Sequence, residues 1–249
     1  MLTSTFIHVQ GITTAVERKI WEQGARTWDD FLADKGRWLT GDVHPKTVER
    51  IIQNSRKKLA AGEHRYFGRR LPRREAWRVY PEFANRLVYL DIETDGGFYG
   101  SSVTVVGVYD GADFRAFVQG DDLDEFPEYI SRFGAIVTFF GSGFDLPMLR
   151  RRFPGLEFDQ LHIDLCHALR RLGFRGGLKK IERQLGIGRG RDTVGLSGLD
   201  AIRLWQRYTA GDGRALERLV RYNREDVVNL EPLMRFAYDG LREFTLNGG

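Results

Sequence analysis

A chain of 249 residues, 42% of them hydrophobic and 29% charged, holds enough core material for one large domain or two smaller ones. Its net charge of +4 is uneven, because residues 1–85 carry 16 Lys/Arg against 10 Asp/Glu and residues 86–249 are left at −2. The lone cysteine, Cys166, excludes an intramolecular disulfide or a cysteine-based zinc cluster and reads as a reduced, buried thiol; no signal pattern opens the chain and no apolar run reaches membrane length, which points to a cytoplasmic protein without a membrane partner.

Residues 5–60 read as helical. Val16, Ile20 and Trp21 recur at helical spacing, as do Trp28, Phe31 and Leu32 behind Thr27, an expected N-cap. A third helix is expected from Pro45 to Leu59. Ahead of the first helix, Phe6 to Thr13 resembles a helix-hairpin-helix segment, which grips a nucleic-acid backbone through hairpin amides, with Thr13 where a second glycine is usual. From Arg56 to Arg78 cations alternate with Tyr66, Phe67 and Trp77. That texture suits a polyanion with stackable bases, or a solvated helix face followed by a charged linker. Gly62 to Asn85 lacks a period and reads as a connector.

The pattern then changes to strands: Leu87–Thr94, Val103–Tyr109 after the Gly96-Gly97 turn, and a third near Phe114–Val118 after the Asp110-Gly111 hairpin signal. A helix from about Asp122 to Phe133 leads to a short buried strand, Ala135–Phe140. The remainder reads as helical near 146–153, 165–172, 177–185, 198–208 and 214–238. Hairpin-linked strands followed by a crossover helix predict an α/β domain with a mixed sheet. The expected organisation is a helical domain over 1–62, a basic connector over 63–85, the α/β domain over 86–240 and a tail over 241–249.

Four acidic positions stand beside apolar residues, where an ionised carboxylate is costly unless compensated. Asp91 and Glu93 lie two apart near the end of a strand and emerge on one face, opposite Leu90 and Ile92. Asp145 follows a Gly-Ser-Gly turn at a helix start, where an Asp is an expected N-cap whose second oxygen stays free for a metal-bound water. Asp226 sits inside a helix on the stripe of Leu219, Leu230 and Leu233, one turn after Tyr222. A structural Tyr–Asp hydrogen bond would explain that last pair as well. Four negative charges match two divalent cations, the apparatus of phosphodiester hydrolysis. Asp164 reads as an N-cap, His162 and His167 as satisfied polar residues near a core edge, and Gly186 to Gly190 as a flexible turn; Glu225 points about 100° away from Asp226 around the helix.

In order, these motifs resemble the DEDD exonuclease superfamily in its tyrosine-bearing branch, and within it the YprB-like family of ribonuclease-H-like exonucleases. His162-Ile163-Asp164-Leu165, Arg170-Arg171-Leu172, Gly177 to Glu182, Leu185-Gly186-Ile187 and Tyr222-Asn223 extend the match, which covers roughly 86–238. The resemblance implies a ribonuclease-H-like mixed sheet flanked by helices, with Asp91, Glu93 and Asp226 as ligands of Mg²⁺ or Mn²⁺. It further implies that Asp145 completes the set and that Tyr222 positions the nucleophile. The implied activity is two-metal 3′–5′ exonucleolysis of nucleic acid, single-stranded DNA or strand ends being favoured over RNA. Relatives often carry Asn five residues before the second-motif Asp, where this chain has Phe140. A catalytically silent nucleic-acid-binding scaffold and a structure-specific endonuclease are the alternatives.

Overall fold

The computed structural model describes residues 1–34, 37–97 and 102–247. The last two positions of the expected tail, and positions 35–36 of the expected helical region, lie outside them. The N-terminal part holds α1 (Thr14–Glu22), α2 (Trp28–Ala33) and α3 (Pro45–Ala60). Each begins where a side chain can satisfy orphan amides: Thr13 accepts from Val16 N, Thr27 forms a capping box with Asp30, and His44 caps ahead of Pro45.

Residues 62–85 differ from the expected connector. They form α4 (His64–Gly68) and 3-10 turns at Arg73–Val79 and Ala84–Arg86, and they are packed into the core. Phe67, Trp77 and Arg78 are fully buried, so these aromatics offer no face to a nucleobase. Charge compensation makes this possible. The Arg78 guanidinium donates to Glu17 Oε2 at 2.9 Å, to Thr5 Oγ1 at 2.8 Å and to Glu75 Oε2 at 2.8 Å, while Glu17 Oε1 accepts from Phe6 N and Thr5 Oγ1 at 2.7 Å. One partner of Arg78, Glu17, lies 61 residues upstream, so this segment is tied to α1.

The sheet has strand order β3-β2-β1-β4-β5, with β1 (Leu87–Thr94), β2 (Val103–Tyr109), β3 (Phe114–Val118), β4 (Ala135–Thr138) and β5 (Leu161–Asp164). The first three strands pair antiparallel, and β4 and β5 add in parallel. This is the expected mixed sheet, with β5 as a strand that the sequence reading missed. One face, through Val88, Leu90 and Ile92, packs on α5 (Phe126–Ile130) and α6 (Asp145–Arg152). The other is covered by α7 (Leu165–Arg171), α8 (Leu178–Gln184), α9 (Gly198–Thr209), α10 (Gly213–Val228) and α11 (Leu230–Leu246). The single helix expected over 214–238 is two helices, because the chain turns at Asn229. One buried cluster joins Phe6, Trp28 and Ile52 of the N-terminal part to Tyr89, Val137, Ile163 and Leu233 around the sheet. Cys166 is half-buried rather than fully buried, since α7 turns it toward solvent. Among the described residues no helix is long and apolar enough to cross a membrane.

Candidate active site

The site forms where α10 crosses the sheet at β1 and β2. Asp91 and Glu93 project on the α10 side, while Leu90 and Ile92 fill the opposite core, as strand alternation requires. The close crossing depends on a missing side chain. Gly107 is the β2 partner of Asp91, and a Cβ there would fall 1.8 Å from Asn223 Oδ1 and 3.0 Å from Val227. With that space open, α10 settles on the strand and brings Asp226 to the acidic pair. Asn223 Nδ2 donates to Asp91 Oδ2 at 3.0 Å.

Ligand oxygens of Asp91, Glu93 and Asp226 all lie within 4.8 Å of one another. Burial first, then the negative charges of Asp145, Asp226 and Glu93, push the Asp91 carboxyl well above the ordinary carboxylate range. Glu93 is raised in the same way, by burial and then by Asp226. Asp226 is raised by burial against the pull of Arg189 and Lys179. The buried Glu93 Oε1 has no hydrogen-bond partner among the described residues. Convergent hard oxygens, mutual repulsion and an orphaned acceptor are the donor set a divalent cation fits.

Asp145 stands apart from that trio, although its charge reaches Asp91. It does not act as the N-cap: Phe144 holds that position, and Asp145 is the first helical residue of α6. Its Oδ1 instead accepts from Ile92 N on β1 at 3.2 Å, because α6 starts directly beside that strand. Burial raises its carboxyl to about 7, with the amides of Asp145 and Ile92 opposing.

Three further residues complete the surroundings. Lys179 on α8 donates to the Tyr222 hydroxyl, and its Nζ sits 4.2 Å from that ring centroid. Burial holds the Tyr222 phenol protonated well above its ordinary range, and burial lowers the Lys179 ammonium. Arg189 pairs with Asp226 and is clamped by Glu182 through two hydrogen bonds of 2.7 Å, Glu182 being held by Asn229 at 2.9 Å. The glycine turn thus places a fixed cation at the site. Glu225 holds that turn by accepting from Gly190 N at 2.8 Å and from Thr193, which is why it faces away from the acidic centre. Sequence reasoning gave Asn223 and Arg189 no role in the site. For Asn223 a signal existed: it lies three residues before Asp226, on the same helix face.

Asp164 is the N-cap of α7, accepting from Cys166 N at 3.1 Å. It also accepts from Phe140 N at 2.8 Å and Ser142 N at 3.1 Å, so it shapes the turn before Asp145. His162 Nε2 bonds Thr138 Oγ1 at 2.8 Å, and burial holds its ring neutral with a pKa of about 4. His167 lies 3.3 Å from Ser142 Oγ. Among the described residues Phe140 is the one non-glycine with a left-handed backbone, φ 63°. Asn adopts that conformation far more readily than Phe.

A family model for the RNase H superfamily matches residues 88–238, from β1 to within α11. The chain belongs to the RNase H superfamily. The acidic trio therefore sits in an RNase H fold, the fold of nucleases that use divalent metal ions. Among solved structures, this chain is similar to the family B DNA polymerase of the hyperthermophilic archaeon Pyrobaculum calidifontis. Identity is 18% and the TM-score 0.45, over 64% of this chain and 24% of the polymerase chain. The chain thus spans about a quarter of that protein. No curated protein matches it.

Proposed function

We propose that the protein is a metal-dependent 3′–5′ exonuclease acting on unpaired nucleic-acid ends, of the YprB-like, tyrosine-bearing kind. The observation that carries this is the convergence of Asp91, Glu93 and Asp226 within 4.8 Å in an RNase H fold. These three carboxylates would hold Mg²⁺ or Mn²⁺, and Asp145 would complete the set for a second ion. What divalent cations supply in such a site is stabilisation of charge on the oxygens that enter and leave phosphorus.

The remaining residues have distinct tasks. Asn223 orients the Asp91 carboxylate, and Arg189 holds Asp226 by an ion pair. Tyr222 keeps its proton and accepts from Lys179, so its hydroxyl hydrogen is available to orient a water or a phosphate oxygen rather than to remove a proton. The helix-hairpin-helix role gains little support, since the amides of Phe6, Ile7, Val9 and Ile12 are all bonded internally.

The test is a denaturing gel of 5′-labelled single-stranded DNA and RNA with Mn²⁺, comparing the wild type with Asp91→Ala. A ladder shortening from the 3′ end that vanishes in the variant is the expected result. Cleavage of a circular single strand would make the protein an endonuclease. No cleavage of any strand by folded protein would leave a silent binding module.

A further inference from the structure

We propose that Phe140 is a stacking platform for the terminal nucleobase of a single strand entering the acidic centre, and so selects unpaired ends. This rests on the nuclease reading above and names the substrate contact of the same site. Phe140 is 50% exposed. An exposed apolar side chain alone is ordinary. Here the exposed ring also sits on a left-handed backbone, which L side chains disfavour, so two unfavourable features coincide without a compensating gain in core packing.

The surroundings fix that conformation. Phe140 N donates to Asp164 Oδ1, and Phe140 O accepts from Gly143 N at 3.0 Å and Phe144 N at 3.2 Å. Asp164 is itself immobilised as the α7 cap and by Ser142. The ring lies over Gly143, where a Cβ would meet its Cζ at 2.6 Å. Gly141 O accepts from Leu146 N at 3.0 Å, which couples the turn to the start of α6 and therefore to Asp145. A rigid, half-exposed aromatic five residues from a carboxylate of the site is what base stacking requires. Stacking on an aromatic face tolerates any base but needs an unpaired one. Phe144, 41% exposed, offers a second apolar face on the same turn.

The test is equilibrium binding with Ca²⁺, by fluorescence anisotropy of a fluorescein-labelled oligothymidine and of the same strand lacking its 3′-terminal base. Phe140→Asn relieves the backbone and so folds; Phe140→Trp keeps a stacking face. The expected result is that Phe140→Asn weakens binding of the intact strand about tenfold, whereas Phe140→Trp does not. Removing the terminal base should cost the wild type a similar factor and Phe140→Asn almost none. Equal affinity of wild type and Phe140→Asn, or the same loss from base removal in both, overturns the assignment and leaves the nuclease reading standing. If the wild type binds neither strand, both fall together.

Discussion

Asn223 on α10 holds the Asp91 carboxylate on β1 through an Nδ2–Oδ2 hydrogen bond of 3.0 Å, across 132 residues of chain. The bond ties the helix bearing Asp226 to the strand bearing the acidic pair. Residues that orient metal ligands in this way typically contribute about 10–100-fold to metal affinity or activity. Asn223→Ala should lower Mn²⁺ affinity by a factor in that range, read by titration calorimetry, while circular dichroism shows an unchanged fold. Wild-type affinity in this variant would remove Asn223 from the site.

Gly107 should tolerate no side chain. A Cβ within 1.8 Å of Asn223 Oδ1 must displace α10 or expel the Asn223 side chain. Gly107→Ala is therefore expected to destabilise the protein by about 1–3 kcal/mol, the range for overpacking a filled core, and to weaken Mn²⁺ binding as well. Urea unfolding and metal titration on the same sample check both effects. The double variant Gly107→Ala/Asn223→Ala should recover part of the stability, since the closest clash is then removed and only the 3.0 Å approach to Val227 remains.

The raised carboxyls set a pH dependence. Asp91, Glu93 and Asp226 all bind protons more tightly in the folded protein than in the unfolded chain, and Asp145 does so up to about 7. The folded state thus holds more protons between about pH 4 and 7, and their contribution to the metal-free protein's stability declines as pH rises through that window. A divalent cation needs the deprotonated forms. The rise in melting temperature on adding Mn²⁺ should therefore be small near pH 5 and grow toward pH 7.5. His8 and His162, whose buried rings act in the opposite sense, cancel in that difference. A metal-induced shift that is constant with pH would contradict these assignments.

Arg78 should be among the most sensitive positions away from the site. Its removal leaves Glu17 and Glu75 buried without their shared cation. Breaking such a network by deleting one partner costs about 3–5 kcal/mol. Arg78→Ala is expected to lose that much in urea unfolding, and a loss below about 1 kcal/mol would show that the carboxylates find other partners.

What the sequence made legible was local. Alternation along Leu87–Thr94 put Asp91 and Glu93 on one face, and the 3.6-residue period put Asp226 on the buried stripe of its helix. The mixed sheet followed from hairpin and crossover signals. Most of the misses were decided at long range. Asp145 was expected to cap its own helix, but it bonds a strand amide 53 residues away. Trp77 and Arg78 looked like a solvated basic stretch because the carboxylate that buries Arg78 lies in α1. Arg189 looked like part of a flexible turn, although Glu182 and Asp226 fix it. β5 is only four residues long, too short for alternation to separate it from the entry to α7.

The Glu17–Arg78–Glu75 network has a consequence for how this protein is handled and how it changes over time. Arg171 on α7 reaches Glu75 Oε1 at 3.2 Å, so a single thread of charge runs from α1 through the segment before β1 to a helix packed on the sheet. A cut at residue 62 would sever it and expose the apolar surface that Trp28 and Ile52 now cover. The α/β part cannot be lifted out as a cassette and grafted elsewhere. Exchange with another protein would have to carry the first helices along with the sheet, or replace the buried arginine and both carboxylates together.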